Sequence, residues 1–260
     1  METESPFQPP GPGAILLELD LEMRFEGGRL LALAGITPEI HGPGTDRLRT
    51  SVLAAWLDIV LGTGAVEAMW PRVPLTLTLD VQMLEPPPSD GAIEILVRPL
   101  KVGRSVSVLE ADVFEEGSII GFGRGSFMAA PDPRAVMETR PPMRAPPGTH
   151  RLSMPLAMRA GIELIETGVV LLPNRPDARN GANVLTGSLI ALVAEEAALS
   201  LTPGETLALL NLEFLRPVRV GPAVASARIH RGVGRVEIRD AGRDNRLAAV
   251  ATTRILTVGA

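Results

Sequence analysis

Two short blocks of this chain occur twice. Leu84, Pro86, Val102, Gly103 and Arg104 stand in the segments LDVQMLEP and KVGRSV. Leu215, Pro217, Val233, Gly234 and Arg235 stand in LNLEFLRP and GVGRVE, each 131 positions on (215 − 84; 235 − 104). Asp80 and Asn211 hold the same register. Upstream, LRTSVLAAWLDIVLG lines up with LTGSLIALVAEEAAL at an offset of 137, which assigns six extra residues to the connection GTGAVEAMWPRVP of the first copy. Between the copies, residues 130–148 read APDPRAVMETRPPMRAPPG, and six prolines there make a poor helix or strand. Such a repeat constrains the fold strongly, because what one copy builds the other must build, and each copy is of domain size. We divide the chain into an N-terminal unit over 14–130, a Pro-rich linker over 131–150 and a C-terminal unit over 151–260.

Each unit carries the same pattern. An extended segment opens it, over 16–25 and 156–172. One long apolar helix follows, over about 48–61 and 184–199. The strands come next, over 75–84, 93–99, 105–114 and 118–128 in the first unit and 206–214, 223–230, 235–240 and 247–256 in the second. One helix followed by antiparallel strands is an α+β unit. Both helices are apolar nearly all round, which suits burial within a sheet rather than a surface position.

Composition removes several chemistries. Among 260 residues there is no Cys, so disulfides, thiolate nucleophiles and Cys-based zinc sites drop out. With 3 His, acid–base work falls to carboxylates, amides and backbone groups. A net charge of −5 argues against nucleic acid as the main partner. No Asp/Glu/His spacing suits a metal, and GFGRGS at Gly121 lies in a strand with no helix after it, so it is not a dinucleotide fingerprint. The first residues lack the basic and apolar regions of a signal peptide, and the apolar runs are interrupted by Asp58 and by Glu195 and Glu196, so cytoplasmic residence without membrane spans is expected.

Asp58 is the only charged residue between Val52 and Val66. A carboxylate there must be paired, hydrogen-bonded or functional, or must sit at the rim of the helix in contact with water or an arginine. Glu195 aligns with it in the second copy. Ahead of Glu195, NGANVLTGSL puts Gly187 in the first helical turn, where a ligand can approach free N–H groups at the positive end of the helix. The same segment also reads as an ordinary cap with Asn183 or Thr186.

In combination, Asn180, Gly187 and Glu195 eight positions later, followed by the strand meander from LDVQMLEP to GFGRGSFM, resemble the hotdog-fold acyl-CoA thioesterases. The resemblance is to their tandem, double-hotdog form, in the superfamily that includes PaaI-like 4-hydroxybenzoyl-CoA thioesterases. It implies two tandem units, each with a long central helix wrapped by an antiparallel sheet, the two sheets joining edge to edge. It implies that the helix start of one unit faces the carboxylate of the other, so that Asn180 and the Gly187 N–H meet Asp58, and the Thr50 N–H meets Glu195. Thioester hydrolysis would follow, the Gly187 N–H holding the carbonyl oxygen, Asp58 serving as general base or nucleophile, and Asn180 orienting water or the carbonyl. Arg104 and Arg235, each after a glycine, would contact coenzyme A phosphates, or are plain turn arginines. Trp56 and Met69 would line the acyl pocket, or are plain core.

The chain departs from that family in places. Arg49-Thr50-Ser51 and Thr186-Gly187-Ser188 stand where His-Gly-Gly is common, Pro43 holds the first copy's Asn position, and Gly62 and Leu199 replace the helper Ser or Thr after each carboxylate. The first helix start is therefore degenerate. A non-catalytic acyl-CoA or lipid-binding protein is the alternative, and a hydratase relative is disfavoured by the lack of a histidine near Asp58. No cofactor is expected beyond the coenzyme A of the substrate, and self-assembly through sheet edges is expected.

Overall fold

The computed structural model describes residues 13–137 and 151–256. Most of the linker, 138–150, lies outside the described residues. Each half begins with a short helical turn (Ile15–Glu18; α2, Leu156–Ala160) and a hairpin (β1, Leu21–Glu26, with β2, Arg29–Gly35; β7, Glu163–Glu166, with β8, Val169–Leu172). The opening segments are therefore hairpins rather than single extended stretches, because Gly27, Gly28 and Gly168 adopt positive φ and turn the chain back. A long helix follows (α1, Thr50–Met69; α3, Gly187–Leu199). Four strands complete each half: β3 (Pro74–Met83), β4 (Ala92–Lys101), β5 (Val106–Glu115) and β6 (Ser118–Ala129), then β9 (Leu207–Phe214), β10 (Ala223–His230), β11 (Val233–Asp240) and β12 (Arg246–Ile255).

All twelve strands form one antiparallel sheet in the order β1-β2-β4-β5-β6-β3-β9-β12-β11-β10-β8-β7. The second half of that order is the first half reversed. The halves meet at β3 and β9, where Asp80 pairs with Asn211, Leu79 with Leu212 and Val81 with Leu210. Asp80 and Asn211 are the residues that the repeat makes equivalent, so a pseudo-two-fold axis passes between them. The sheet ends at β1 and β7, whose exposed glutamates (Glu22, Glu26, Glu163 and Glu166) discourage edge-to-edge addition.

The helices pack against each other and against the sheet, and α1 also reaches β9 of the other half. Thirteen residues of α1 are buried, including Trp56, Leu57, Val60 and Leu61. Glycines on β6 allow this approach: a Cβ at Gly123 would stand 2.5 Å from Leu57 Cδ1, and one at Gly125 would stand 3.3 Å from Leu61 Cδ1. The helix α1 runs eight residues beyond Leu61. Gly62 and Gly64, expected in a loop, are helical, and Gly64 lies close to the sheet, where a Cβ would be 2.5 Å from Leu109 Cδ2. Pro71 then holds Trp70 extended and ends the helix. The six extra residues of the first copy are thus taken up largely by a 20-residue helix against one of 13. By length and composition alone α1 could cross a membrane, a possibility the sequence reading set aside at Asp58; here it is packed inside the sheet. The described start of the linker is tied to the end of α1, with the Met137 N–H bonding the Pro71 carbonyl at 2.8 Å.

Candidate functional site

The antiparallel packing of α1 and α3 sets each helix start beside the carboxylate of the other helix. The two resulting sites are related by the pseudo-two-fold axis but differ in chemistry.

At the first, Asp58 faces the start of α3. Thr76 Oγ1, from β3, donates to Asp58 Oδ1 at 3.1 Å, and Ser188 Oγ donates to Oδ2 at 3.4 Å. A Cβ at Gly187 would stand 3.3 Å from Asp58 Oδ2 and 3.2 Å from Phe214 Cζ, so only a glycine leaves that space open. Among the described residues, the Gly187 and Ser188 N–H groups have no acceptor; Thr186 O takes the N–H groups of Leu189 and Ile190 instead. Asp58 has no cationic partner among the described residues, and the residue as a whole is only partly buried. Its packing among apolar groups raises its carboxyl to about 6, with the Thr76 and Ser188 hydroxyls pulling the other way.

At the second, Glu195 faces the start of α1 and is sealed, with 1% exposure. Its Oε1 accepts the Ser51 N–H at 3.2 Å and its Oε2 accepts the Ser51 hydroxyl at 2.5 Å. Arg49 Nη1 lies 3.7 Å from Glu195 and 2.5 Å from Glu196. Burial pushes the Glu195 carboxyl up from the ordinary range, and Arg49 draws it back.

One methylene decides the difference. Glutamate carries its carboxylate about 1.5 Å further than aspartate does, the length of a carbon–carbon bond. Glu195 therefore reaches the helix-terminal N–H and occupies it. Asp58 stops short, and the N–H groups of α3 stay free for a ligand.

The sequence-based site residues divide accordingly. Asp58 and Gly187 come together, and Glu195 meets the other helix start. The donor to Glu195 is Ser51 rather than Thr50, since Thr50 is buried and its hydroxyl bonds the Leu207 carbonyl at 2.8 Å. Asn180 Oδ1 accepts the N–H groups of Ala182 and Val184 and so shapes the loop before α3. Trp56 is fully buried and bonds the Leu19 carbonyl at 2.8 Å, which makes it core rather than pocket lining. Arg104 is exposed in the β4–β5 connection, whereas Arg235 lies within β11 and not in a turn. His41 bonds the Ser89 carbonyl at 2.8 Å and ties its loop to the β3–β4 connection. Thr76, Ser188, Ser51 and Arg49 were not singled out as functional. For the two serines a signal existed, because both helix-start triplets end in Ser. No group of metal ligands occurs among the described residues.

The sequence matches no protein-family model and no curated protein. Solved structures do match over nearly the whole chain. The tesB protein of Mycobacterium avium subsp. paratuberculosis superposes with a TM-score of 0.63 at 15% identity, covering 94% of this chain and 98% of that one. An acyl-ACP thioesterase from Bacteroides thetaiotaomicron gives 0.62 at 12% identity, with coverage of 87% and 97%. The 12:0-ACP thioesterase from Umbellularia californica also gives 0.62 at 12% identity, with coverage of 89% and 98%. With the two-fold sheet order and the paired central helices, these likenesses assign the chain the double-hotdog fold of such thioesterases.

Proposed function

We propose that the protein hydrolyses acyl thioesters, with acyl-CoA as the substrate class, at the site formed by Asp58 and the start of α3. The observation that carries this reading is the juxtaposition of a carboxylate without a cationic partner among the described residues and two free helix-terminal N–H groups. The thioester carbonyl oxygen accepts hydrogen bonds from the Gly187 and Ser188 N–H groups, which also stabilise the developing oxyanion. Asp58 takes a proton from water as the oxygen attacks the carbonyl carbon. Collapse of the tetrahedral intermediate breaks the carbon–sulfur bond, and the proton passes from Asp58 to the departing thiolate. Thr76 and Ser188 hold the carboxylate in place. Asn180, whose Oδ1 is used in its own turn, keeps only Nδ2 for orienting the water.

Two measurements test this. With a carboxyl near 6 acting as base, kcat/KM against acyl-CoA rises with pH, is half-maximal near pH 6 and levels off above it. A profile that falls across this range would remove Asp58 as the base. Gly187→Ala fills the space in front of Asp58 and lowers kcat/KM by roughly 10- to 100-fold, while melting shifts little because alanine suits a helix. A Gly187→Ala protein with unchanged turnover would mean that the substrate does not approach there. Binding of acyl-CoA without thiol release by the native protein would favour the non-catalytic alternative.

A further inference from the structure

Beside the α3 site, Arg216, Arg219, Arg243 and Arg246 line a depression of about 270 Å³, together with Pro217, Asp240 and Ala248. None of the four arginines lies within ion-pair distance of a carboxylate among the described residues, and all four are exposed. Asp240 does not neutralise them in kind. It is buried, and its carboxylate accepts the N–H groups of Arg219 at 2.9 Å, Val220 at 3.2 Å and Gly221 at 2.7 Å. Its role is to hold the loop that carries Arg219, leaving a concave surface with a strong excess of guanidinium donors. That chemistry selects phosphate groups.

The depression adjoins the proposed catalytic site. Phe214 flanks Gly187, and Arg216 is two residues further along the chain, about 7 Å when extended. The Leu185 N–H, just ahead of α3, bonds the Val218 carbonyl at 3.1 Å and ties the two segments together. From there the basin extends to the β11–β12 hairpin. Among the described residues the other half has no equivalent cluster. Glu85 stands at the position equivalent to Arg216, in LEP against LRP. A depression near Pro86 and Pro87 is lined by Asp46, Arg47 and Glu205. Exposed arginines without carboxylate partners therefore cluster beside the helix start that is open, whereas at the sealed one Arg49 is paired with Glu195 and Glu196.

We propose that this arginine basin binds the nucleotide phosphates of a coenzyme A thioester whose acyl end lies at Asp58. The proposal rests on the thioesterase reading and names the anchor for its carrier. Arg235 lies apart from this basin, five residues along β11 from Asp240 and about 17 Å away.

The test compares the native protein with an Arg243→Glu/Arg246→Glu variant, both exposed positions on a hairpin. The ratio of kcat/KM for acyl-CoA to that for the matching acyl-pantetheine falls about 10- to 100-fold in the variant. Titration calorimetry with adenosine 3′,5′-bisphosphate gives binding to the native protein that the variant loses. Equal loss on both thioesters, or bisphosphate binding unchanged in the variant, would overturn the basin. A variant impaired on acyl carrier protein thioesters but not on acyl-CoA would overturn it in favour of a protein carrier. If the native protein cleaves no thioester yet binds the bisphosphate through these arginines, the phosphate site stands and the hydrolase reading fails.

Discussion

Asp58→Asn is expected to lower thioester turnover by about 100-fold or more and to make the protein more stable. Both effects have one cause. The carboxyl is pushed up to about 6 because ionising it among apolar groups, with two hydroxyls and no cation, is unfavourable. In the unfolded chain the same group titrates near 4. A folded pKa above the unfolded one favours the protonated, folded form. That stabilisation is complete below about pH 4 and is lost as the pH rises through 6. Near neutrality the charged Asp58 therefore destabilises the fold by about 3 kcal/mol. Asparagine cannot ionise, keeps the shape and can still bond Thr76 and Ser188, so it removes that cost together with the base. Thermal melts of the native protein and the variant, run at pH 4 and pH 7, should differ more at pH 7. A variant with native turnover would end the mechanism. A variant that is inactive and less stable would point to a structural role for the carboxylate.

Arg49→Met should have the opposite character, a large loss of stability with little change in chemistry. Arg49 is 4% exposed and lies beside Glu195, at 1%, and Glu196. Removing the cation leaves two carboxylates crowded at a sealed helix start. Breaking such a buried pair costs about 3–5 kcal/mol. For a chain of this size that lowers Tm by roughly 10 °C. Turnover per folded molecule at low temperature should stay within a few-fold of native. The companion Glu195→Gln should keep most of the turnover, since the working carboxylate is taken to be Asp58. Loss of activity in Glu195→Gln with retained activity in Asp58→Asn would reverse the assignment of the two sites. If Arg49→Met melts like the native protein, the cluster is not the structural tie inferred from its geometry.

Much of this molecule can be read without coordinates. Duplication, the α+β pattern and most strand positions follow from periodicity and from two repeated blocks, because alternation and β-branching are local properties of the chain. The crosswise facing of Asp58 and Gly187 could also be anticipated through the repeat and the family resemblance. The C-terminal half of α1 was missed because Gly62 and Gly64 look like helix breakers. At Gly64 a side chain would collide with Leu109, a residue more than forty positions away.

Only the tertiary structure showed how one of the two helix starts is sealed. Pro43 and the missing glycine already mark the first helix start as degenerate in the sequence, but how it is closed is not local. The reach of one extra methylene, Ser51 waiting at the far helix and Arg49 closing over the pair together seal the Glu195 site. Thr76 joins Asp58 from a strand, Ser188 from the other half, and the four arginines of the basin come from a loop and a hairpin separated along the chain. Sequence sets which groups exist and which face each element shows, since those depend on neighbours along the chain. Solvation, charge pairing and free N–H groups depend on neighbours in space, and folding alone assembles those.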